Sequence, residues 1–278
     1  MRQVKAKDTV MLSEEAFEDR GNTRLYWLGG AGFLLNVHGT ILLVDPVLTT
    51  KPGERRCETG SPMLVDYPID AHALPRVDLV LYTHSDADHL GPVTAPVLFR
   101  HNPLFIGTLD VREALERLLG QRPRFLAGKA GASFSVANVE VTLTPADHPW
   151  QLLDPGKYGK ILGPDDCCGF QIATPDGVML FMGDTRLMQA HLSIEGVDVL
   201  ALDVSRCTYH LGVAGATVMA NTLKDALLVP YHYGTYDLPD AVAHNGDPDD
   251  VLQNVERADA RVRRLAPGEC LVIRRNER

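Results

Sequence analysis

Residues 83–91 read T-H-S-D-A-D-H-L-G, and this segment decides how the rest of the chain is interpreted. Residues 77–82 (VDLVLY) precede it and are β-branched or aliphatic, a pattern typical of a buried strand. A strand that delivers imidazoles and carboxylates into a loop predicts a metal site. The alternative for so short a motif is a solvated acidic turn with two incidental histidines. Four residues of the segment are potential ligands: His84, Asp86, Asp88 and His89.

The composition is typical of a soluble globular protein, with more acidic than basic residues. Its 278 residues are 45% hydrophobic and 23% charged, and this length suits one large domain or two small ones. The formal net charge of -9 argues against a nucleic-acid binder, which usually presents a basic face. The N-terminus lacks the apolar centre of a signal peptide, and no apolar run could span a bilayer. Five irregularly spaced cysteines indicate reduced thiols, so we expect a cytoplasmic protein without a membrane partner.

The chain divides into an N-terminal extension, residues 1–22, which is loose or helical, and one domain, residues 23–278. Short apolar strands separated by Gly-rich turns open the domain, and they predict a β-meander. Two stretches, residues 47–76 and 150–166, are irregular and rich in Pro, Gly and charged residues. Long loops of this kind often cover a functional site. Helical patterns occupy residues 110–119, 217–224 and 249–258.

Three further strands also end in a residue that can bind a metal ion. His148, Asp184 and His232 each follow an apolar run, which makes chance an unsatisfactory explanation for the set. Asp45 also closes a strand, where it either orients a ligand or caps the turn. Imidazole and carboxylate are the usual ligands of zinc, manganese and iron. Without Asp45, the four candidates of residues 84–89 and these three make seven ligands. Seven ligands are too many for one tetrahedral ion, and they suit two divalent ions (Zn, Mn or Fe) that share a carboxylate.

The motifs resemble those of the metallo-β-lactamase superfamily over residues 24–274. The resemblance is greatest to the branch that contains ascorbate-6-phosphate lactonase-like proteins and small metal-dependent hydrolases. It rests on the H-x-[HD]-x-D-H pattern at residues 84–89, together with the pieces at 27–29, 32–33, 41–46, 144–148, 183–185 and 230–235.

This resemblance implies an α/β fold, a four-layer αββα sandwich, with its site at one edge between two sheets. It also implies a division of the ligands between two ions, with Asp184 as the bridge. The first ion would be bound by His84, Asp86 and His148, and the second by Asp88, His89 and His232.

The chain departs from the family pattern at two places. Asp86 stands where the superfamily usually has His, and its hard oxygen should shift the preference from zinc toward manganese or iron, or weaken the first site. Residues 28–30 read Leu-Gly-Gly where related hydrolases often have Leu-Gly-His, so one contact to a substrate or ligand is missing.

The resulting hypothesis is a metal-dependent hydrolase that uses a metal-bridging hydroxide on an ester, lactone or phosphoester. Asp88 would orient the nucleophile, while His210 and Tyr233 are candidates for the acid that protonates the leaving group. Cys207 shares a loop with His210 but is not assigned as a ligand, because Asp184 already occupies the bridging position. Two alternatives remain open: a di-iron redox or oxygen-using enzyme on the same fold, and a non-catalytic metal-binding protein.

The expected partner is a small-molecule substrate, which could be anionic, and the sequence allows a homo-oligomer. Arg55 and Arg56 lie in the irregular stretch 47–76 and could reach an anionic group, although each is equally well explained as a solvated charge. Substrate specificity should reside in residues 47–76 and 150–166, where no match to a known pattern identifies the substrate.

Overall fold

Two sheets form the centre of the protein in the computed structural model, which describes residues 3–51 and 53–275. The first sheet contains β1 (Thr23–Gly29), β2 (Gly32–Val37), β3 (Thr40–Val44), β4 (Leu79–Leu81), β5 (Leu104–Gly107) and β6 (Phe125–Ala127). The second sheet contains β7 (Ser133–Val136), β8 (Val139–Pro145), β9 (Cys168–Thr174), β10 (Gly177–Phe181), β11 (Val199–Asp203) and β12 (Leu227–Tyr231). A last strand, β13 (Cys270–Val272), pairs with β1 at the edge of the first sheet.

Helices cover the outer faces of both sheets. They are α1 (Thr94–Phe99), α2 (Leu109–Leu119), α3 (Pro155–Tyr158), α4 (Gly212–Thr222), α5 (Pro248–Leu252) and α6 (Ala258–Arg261). Short 3-10 turns occur at Glu14–Ala16, Ala71–Ala73, Trp150–Leu153 and Gln189–Ser193. Among the described residues, no helix has the length and apolar character needed to cross a membrane.

Apolar side chains of the strands form a core on each side of a sheet, because successive side chains of a strand face opposite sides of the sheet. Leu25 and Trp27 of β1 pack into the core between the two sheets, where they join Phe170 of β9. Tyr26 and Leu28 of the same strand belong to a second core, under α1 and α2. Helix α4 packs on β11 at the far side of the second sheet. The predicted αββα sandwich is confirmed.

Strand direction decides where the site can be built. In the first sheet β3, β4, β5 and β6 are parallel. In the second sheet β10, β11 and β12 are parallel, and β8 runs the same way because β9 is antiparallel to both of its neighbours. The carboxyl ends of β8, β10, β11 and β12 therefore meet at one edge. The backbone N–H of Cys168 donates to the carbonyl of Thr83 (2.9 Å), which ties that edge to the end of β4.

Several predicted boundaries shift in the structure. Helix α2 begins at Leu109, because the Thr108 hydroxyl caps it by accepting from the backbone N–H of Val111. Helix α4 begins five residues earlier than predicted, at Gly212, and the single helix predicted over 249–258 is instead the two short helices α5 and α6. Arg257 separates α5 from α6 by its left-handed φ of 54°.

The N-terminal extension, described from residue 3, packs against the domain instead of lying loose. Lys5 forms a parallel bridge with Gly234, and the Gln3 amide donates to the carbonyl of Tyr236 (2.6 Å). Ala6 and Ala16 are buried in the two cores. The extension therefore covers the segment that follows β12, and this segment begins with the predicted ligand His232.

Candidate metal centre

Asp184 lies at the centre of a group of four histidines. It follows β10 after Gly183 and is almost completely buried. Its Oδ1 atom lies 2.8 Å from Nε2 of His232. Its Oδ2 atom faces the other three rings, at 3.2 Å from Nε2 of His89, 3.3 Å from Nε2 of His210 and 3.8 Å from Nε2 of His148. One carboxylate thus joins side chains that come from both sheets, as expected of a bridging ligand.

Asp45 fixes the start of the loop that contains His84 and His89. Its Oδ1 accepts from the backbone N–H of Thr83 (2.8 Å), and its Oδ2 accepts from the Thr83 hydroxyl (2.7 Å). The same Oδ2 lies 2.9 Å from Nδ1 of His89, so that nitrogen carries the donated proton and Nε2 is left facing Asp184. Of the two roles considered for Asp45, the structure supports both: it supports the turn and it orients a candidate ligand.

Unpaired ring nitrogens indicate what the centre can hold. Nε2 of His84 and Nε2 of His89 are buried and have no hydrogen-bond partner among the described residues. Each lies 3.2 Å from a carboxylate oxygen, of Asp86 and Asp184 respectively, but neither makes the hydrogen bond that a buried polar atom usually has. Two sets of donor atoms, each within 4.8 Å of one another, surround them: His84 with His148 and Asp184, and His89 with Asp184 and His232. These residues fit two metal ions that share Asp184.

Charge at the centre also favours cations. Burial raises the pKa of the Asp184 carboxyl, but the adjacent rings of His210, His89 and His232 lower it well below its usual value. Burial likewise lowers the pKa of His89, yet the carboxylates of Asp184 and Asp45 raise it well above normal. Both shifts arise because imidazoles and carboxylates are buried together, and a divalent cation would also be stabilised by these carboxylates.

Asp86 and Asp88 lie at the cavity side of the centre. Oδ2 of Asp86 is 3.2 Å from Nε2 of His84 and accepts a hydrogen bond of 2.6 Å from the indole N–H of Trp150. Oδ2 of Asp88 is 3.7 Å from Nε2 of His89 and 3.7 Å from Nδ1 of His244. Both carboxylates therefore border the predicted sites, but neither belongs to the two tight donor sets.

His210, predicted as a catalytic acid, is brought to the centre together with an unpredicted partner. Its Nδ1 lies 2.7 Å from Oδ2 of Asp203, the last residue of β11, and its Nε2 faces Asp184. With His232, these two residues form a third set of donor atoms within 4.8 Å. Asp203 could have been found from the sequence, because it also ends an apolar strand, as the other candidate ligands do.

Tyr233 does not reach the centre, so its prediction as a catalytic acid is corrected. Its ring stacks on Trp27, with centroids 5.3 Å apart and an interplanar angle of 10°, and burial raises the pKa of its hydroxyl to about 12. The physical reason is that the preceding residue, His232, turns its side chain to the cluster in a left-handed conformation (φ 60°). Tyr233 is thereby directed into the core between the sheets.

Arg55 and Arg56 also remain away from the centre. Arg55 donates to the carbonyl of Leu64, and Arg56 donates to the carbonyl of Gly60. Both contacts lie inside the stretch 47–76 and both side chains are solvent-exposed. The two arginines therefore fit the interpretation as solvated loop charges.

A cavity of about 540 Å³ opens onto the centre and supplies room for a small molecule. Sequence reasoning missed two of its residues in particular, Trp150 and His244, since neither follows a strand directly. Its described lining consists of Asp86, Asp88, His148, Trp150, Leu153, Tyr158, Asp184, Cys207, His210, Asp240, Ala241, Val242, Ala243 and His244.

Comparisons with known proteins agree with this geometry. The model of the Beta-lactamase superfamily domain matches residues 40–233. A metal-dependent hydrolase from Methanoculleus marisnigri is 31% identical over 258 residues, which cover 90% of this chain and 96% of that protein. The chain therefore belongs to the metallo-β-lactamase superfamily. Within it, the chain is a member of the family of metal-dependent hydrolases that this relative represents.

Two solved structures share the fold. Igni18, a metallo hydrolase from Ignicoccus hospitalis, superposes with a TM-score of 0.65 at 19% identity and covers 91% of this chain and 98% of its own. CmlA, a diiron beta-hydroxylase from Streptomyces venezuelae, also gives a TM-score of 0.65, at 18% identity, and the match covers 91% of this chain and 54% of CmlA. At these identities the likeness extends to the fold alone.

Proposed function

We propose that this protein is a hydrolase that binds two divalent metal ions around Asp184 and cleaves an ester, lactone or phosphoester of a small molecule. The observation that supports the proposal most directly is that Nε2 of His84 and Nε2 of His89 are buried without a hydrogen-bond partner, close to a carboxylate that contacts four imidazoles. An adjoining cavity of about 540 Å³ supports a small-molecule substrate over a purely structural metal site.

The ligands would divide between two ions, with Asp184 shared. His84 and His148, with Asp86 beside them, would hold one ion. His89 and His232, with Asp88 at the margin, would hold the other. Bound there, divalent ions would supply a water of lowered pKa and Lewis-acid polarisation of the substrate.

The protein's own groups would position the proton that the leaving group needs. His210 donates through Nδ1 to the Asp203 carboxylate, which fixes the orientation of the ring. Its Nε2 lies 3.3 Å from Asp184 and borders the cavity, where a proton on that atom can pass to a leaving oxygen. Asp203 and His210 therefore act as a pair in this proposal, while Tyr233 has no part in it.

Metal analysis combined with hydrolysis assays tests the proposal. Protein purified without added metal should contain about two ions per chain, and should hydrolyse members of a panel of carboxyl esters, lactones and phosphodiesters. Asp184→Asn and His148→Ala should lose metal and activity together. His72→Gln is the matched control, because His72 is an exposed histidine paired with Asp70 outside the centre. Activity that survives complete chelation would exclude the mechanism.

A di-iron redox or oxygen-using enzyme is the second candidate. It is favoured by the three carboxylates at the centre, Asp86, Asp88 and Asp184, because oxygen-rich sites suit iron. Iron as the bound metal, with an optical band that responds to oxygen, would support this candidate. Zinc or manganese with full hydrolytic activity would instead support the hydrolase.

The compartment also remains a proposal. All five cysteines are free, and the structure forms no disulfide among them. Free thiols support a reducing compartment, as expected of a cytoplasmic protein. Fractionation of cells that produce the protein would test this directly.

A further inference from the structure

We propose that the cavity takes a neutral carboxyl ester or lactone that carries an apolar group, and that it discriminates against esters whose acyl or alcohol part carries an additional anionic group. This inference rests on the proposed hydrolase function and names the substrate class for the same site. It replaces the earlier expectation that the substrate could be anionic.

Apolar side chains from two segments line the cavity beyond the metal ligands. Trp150, Leu153 and Tyr158 come from the 3-10 turn and helix α3, and the rings of Trp150 and Tyr158 are 4.6 Å apart. Val242 comes from the loop that follows β12, between two lining alanines. Leu153 is 65% exposed and Val242 is 42% exposed, although both border the opening of a cavity. Exposed apolar residues gathered at one opening indicate a surface that an apolar ligand covers.

The charge of the lining is unsuited to an anion away from the metal ions. No lysine or arginine occurs in the described lining, which contains four carboxylates. Two divalent ions would offset the carboxylates of Asp86, Asp88 and Asp184, but Asp240 would remain at the exposed margin. Cys207 adds no charge, because burial raises the pKa of its thiol. A second anionic group on a substrate would therefore meet a carboxylate without a compensating cation.

The nearby cations already have other partners. Lys157 lies over the ring of Tyr158 at 4.8 Å on its exposed side, and does not line the cavity. Lys160 donates to Asp110 (2.6 Å) and Asp166 (2.9 Å), which anchors the same segment to helix α2. Lys160 thus anchors the segment, while the aromatic and aliphatic side chains of the segment border the cavity.

Hydrolysis by the metal-loaded protein tests the substrate class with matched variants. Two series are compared: acyl groups of increasing apolar size on one alcohol, and acetate esters of increasingly apolar alcohols. In at least one series kcat/KM should rise with apolar size. Leu153→Ser and Val242→Ser should each reduce the preference, defined as the ratio of kcat/KM for the largest to that for the smallest member, about tenfold. Leu152→Ser is the control, because Leu152 is a similarly exposed neighbour (48%) outside the lining. It should leave both the preference and the metal content unchanged.

Three results would overturn the inference. The first is a higher kcat/KM for an ester with an anionic acyl group than for the neutral ester of the same size. The second is a preference for the smallest members of both series. The third is an equal effect of Leu152→Ser and Leu153→Ser on the preference.

A binding measurement separates this inference from the hydrolase proposal. Trp150 is one of two tryptophans, and the other, Trp27, is fully buried in the core. Neutral N-benzylacetamide should therefore change the fluorescence of the metal-loaded protein at lower concentration than the carboxylate N-benzylsuccinamate does, and Leu153→Ser should weaken this response. If no ester is hydrolysed but this order of binding holds, the hydrolase proposal fails while the ligand class stands. Tighter binding of N-benzylsuccinamate would overturn the ligand class itself.

Discussion

Trp150→Phe offers a sharp test of how the cavity wall affects the metal centre. The indole N–H donates to Oδ2 of Asp86 (2.6 Å), the same atom that lies 3.2 Å from Nε2 of His84. Phenylalanine keeps an aromatic ring in the wall but removes this donor, so Asp86 loses the contact that orients it. The variant should bind the first metal ion more weakly and leave the second site unchanged.

The size of the effect follows from the hydrogen bond and its exposure. A hydrogen bond to a charged group contributes about 1.5–3 kcal/mol. The Asp86 side chain is 19% exposed, so water replaces part of the lost contact and the lower end of this range applies. About 1.5 kcal/mol corresponds to roughly tenfold weaker binding, within the range known for residues that orient metal ligands.

Competition with a chromophoric chelator measures the two affinities, with manganese and zinc titrated separately. Tyr158→Phe is the control, because Tyr158 lines the same wall and its hydroxyl contacts Lys157 and not a candidate ligand. It should retain both affinities. Unchanged affinities in Trp150→Phe, or an equal loss in Tyr158→Phe, would refute the reasoning that Trp150 orients Asp86.

Three further variants test other contacts. Asp45→Asn should weaken the second metal site roughly 10–100-fold in a chelator competition, because it removes the carboxylate that orients His89; an effect on the first site only would contradict this. Asp203→Asn should lower kcat about 100-fold with the metal content retained, because His210 loses its charged partner; loss of metal would identify the pair as ligands instead. Burial raises the pKa of Asp176, but hydrogen bonds from Thr23 and His38 lower it below its usual value. Its stabilising contribution should therefore be complete at neutral pH and disappear as the pH falls through the lowered pKa. Asp176→Asn should accordingly reduce Tm more at neutral pH than at about pH 3, and an equal reduction at both would contradict the assignment.

Local sequence signals identified most of the strands and the edge at which the site lies. The apolar runs around residues 32–37, 77–82 and 139–144 become β2, β4 and β8, because hydrophobic periodicity is a property of the chain itself. Helix boundaries were less accurate. The helix predicted over 249–258 ends at Leu252, and the separate helix α6 begins after Arg257, whose left-handed conformation no residue pattern in that segment indicates.

Contacts between distant segments could not be derived from the sequence. Trp150 and Asp86 are 64 residues apart, and their hydrogen bond depends on how the segment 150–166 crosses the cavity. His244 reaches Asp88 from a loop that no strand precedes directly. The prediction for Tyr233 was wrong for a different reason. The left-handed backbone conformation of His232 decides which of these two adjacent side chains enters the centre.

The sequence by itself indicated seven candidate ligands, because a ligand at the end of an apolar strand is a local pattern that parallel strands bring to one edge. The fold class came from the resemblance of these motifs to the metallo-β-lactamase superfamily. Only the tertiary structure decided how those ligands are arranged: Asp184 at the centre, Asp86 held by Trp150, and His210 paired with Asp203. It also decided the charge of the cavity, because the arginines of residues 47–76 remain outside while apolar residues of 150–158 border the opening. Distances and burial arise from packing between segments far apart in the chain, and no local pattern specifies them.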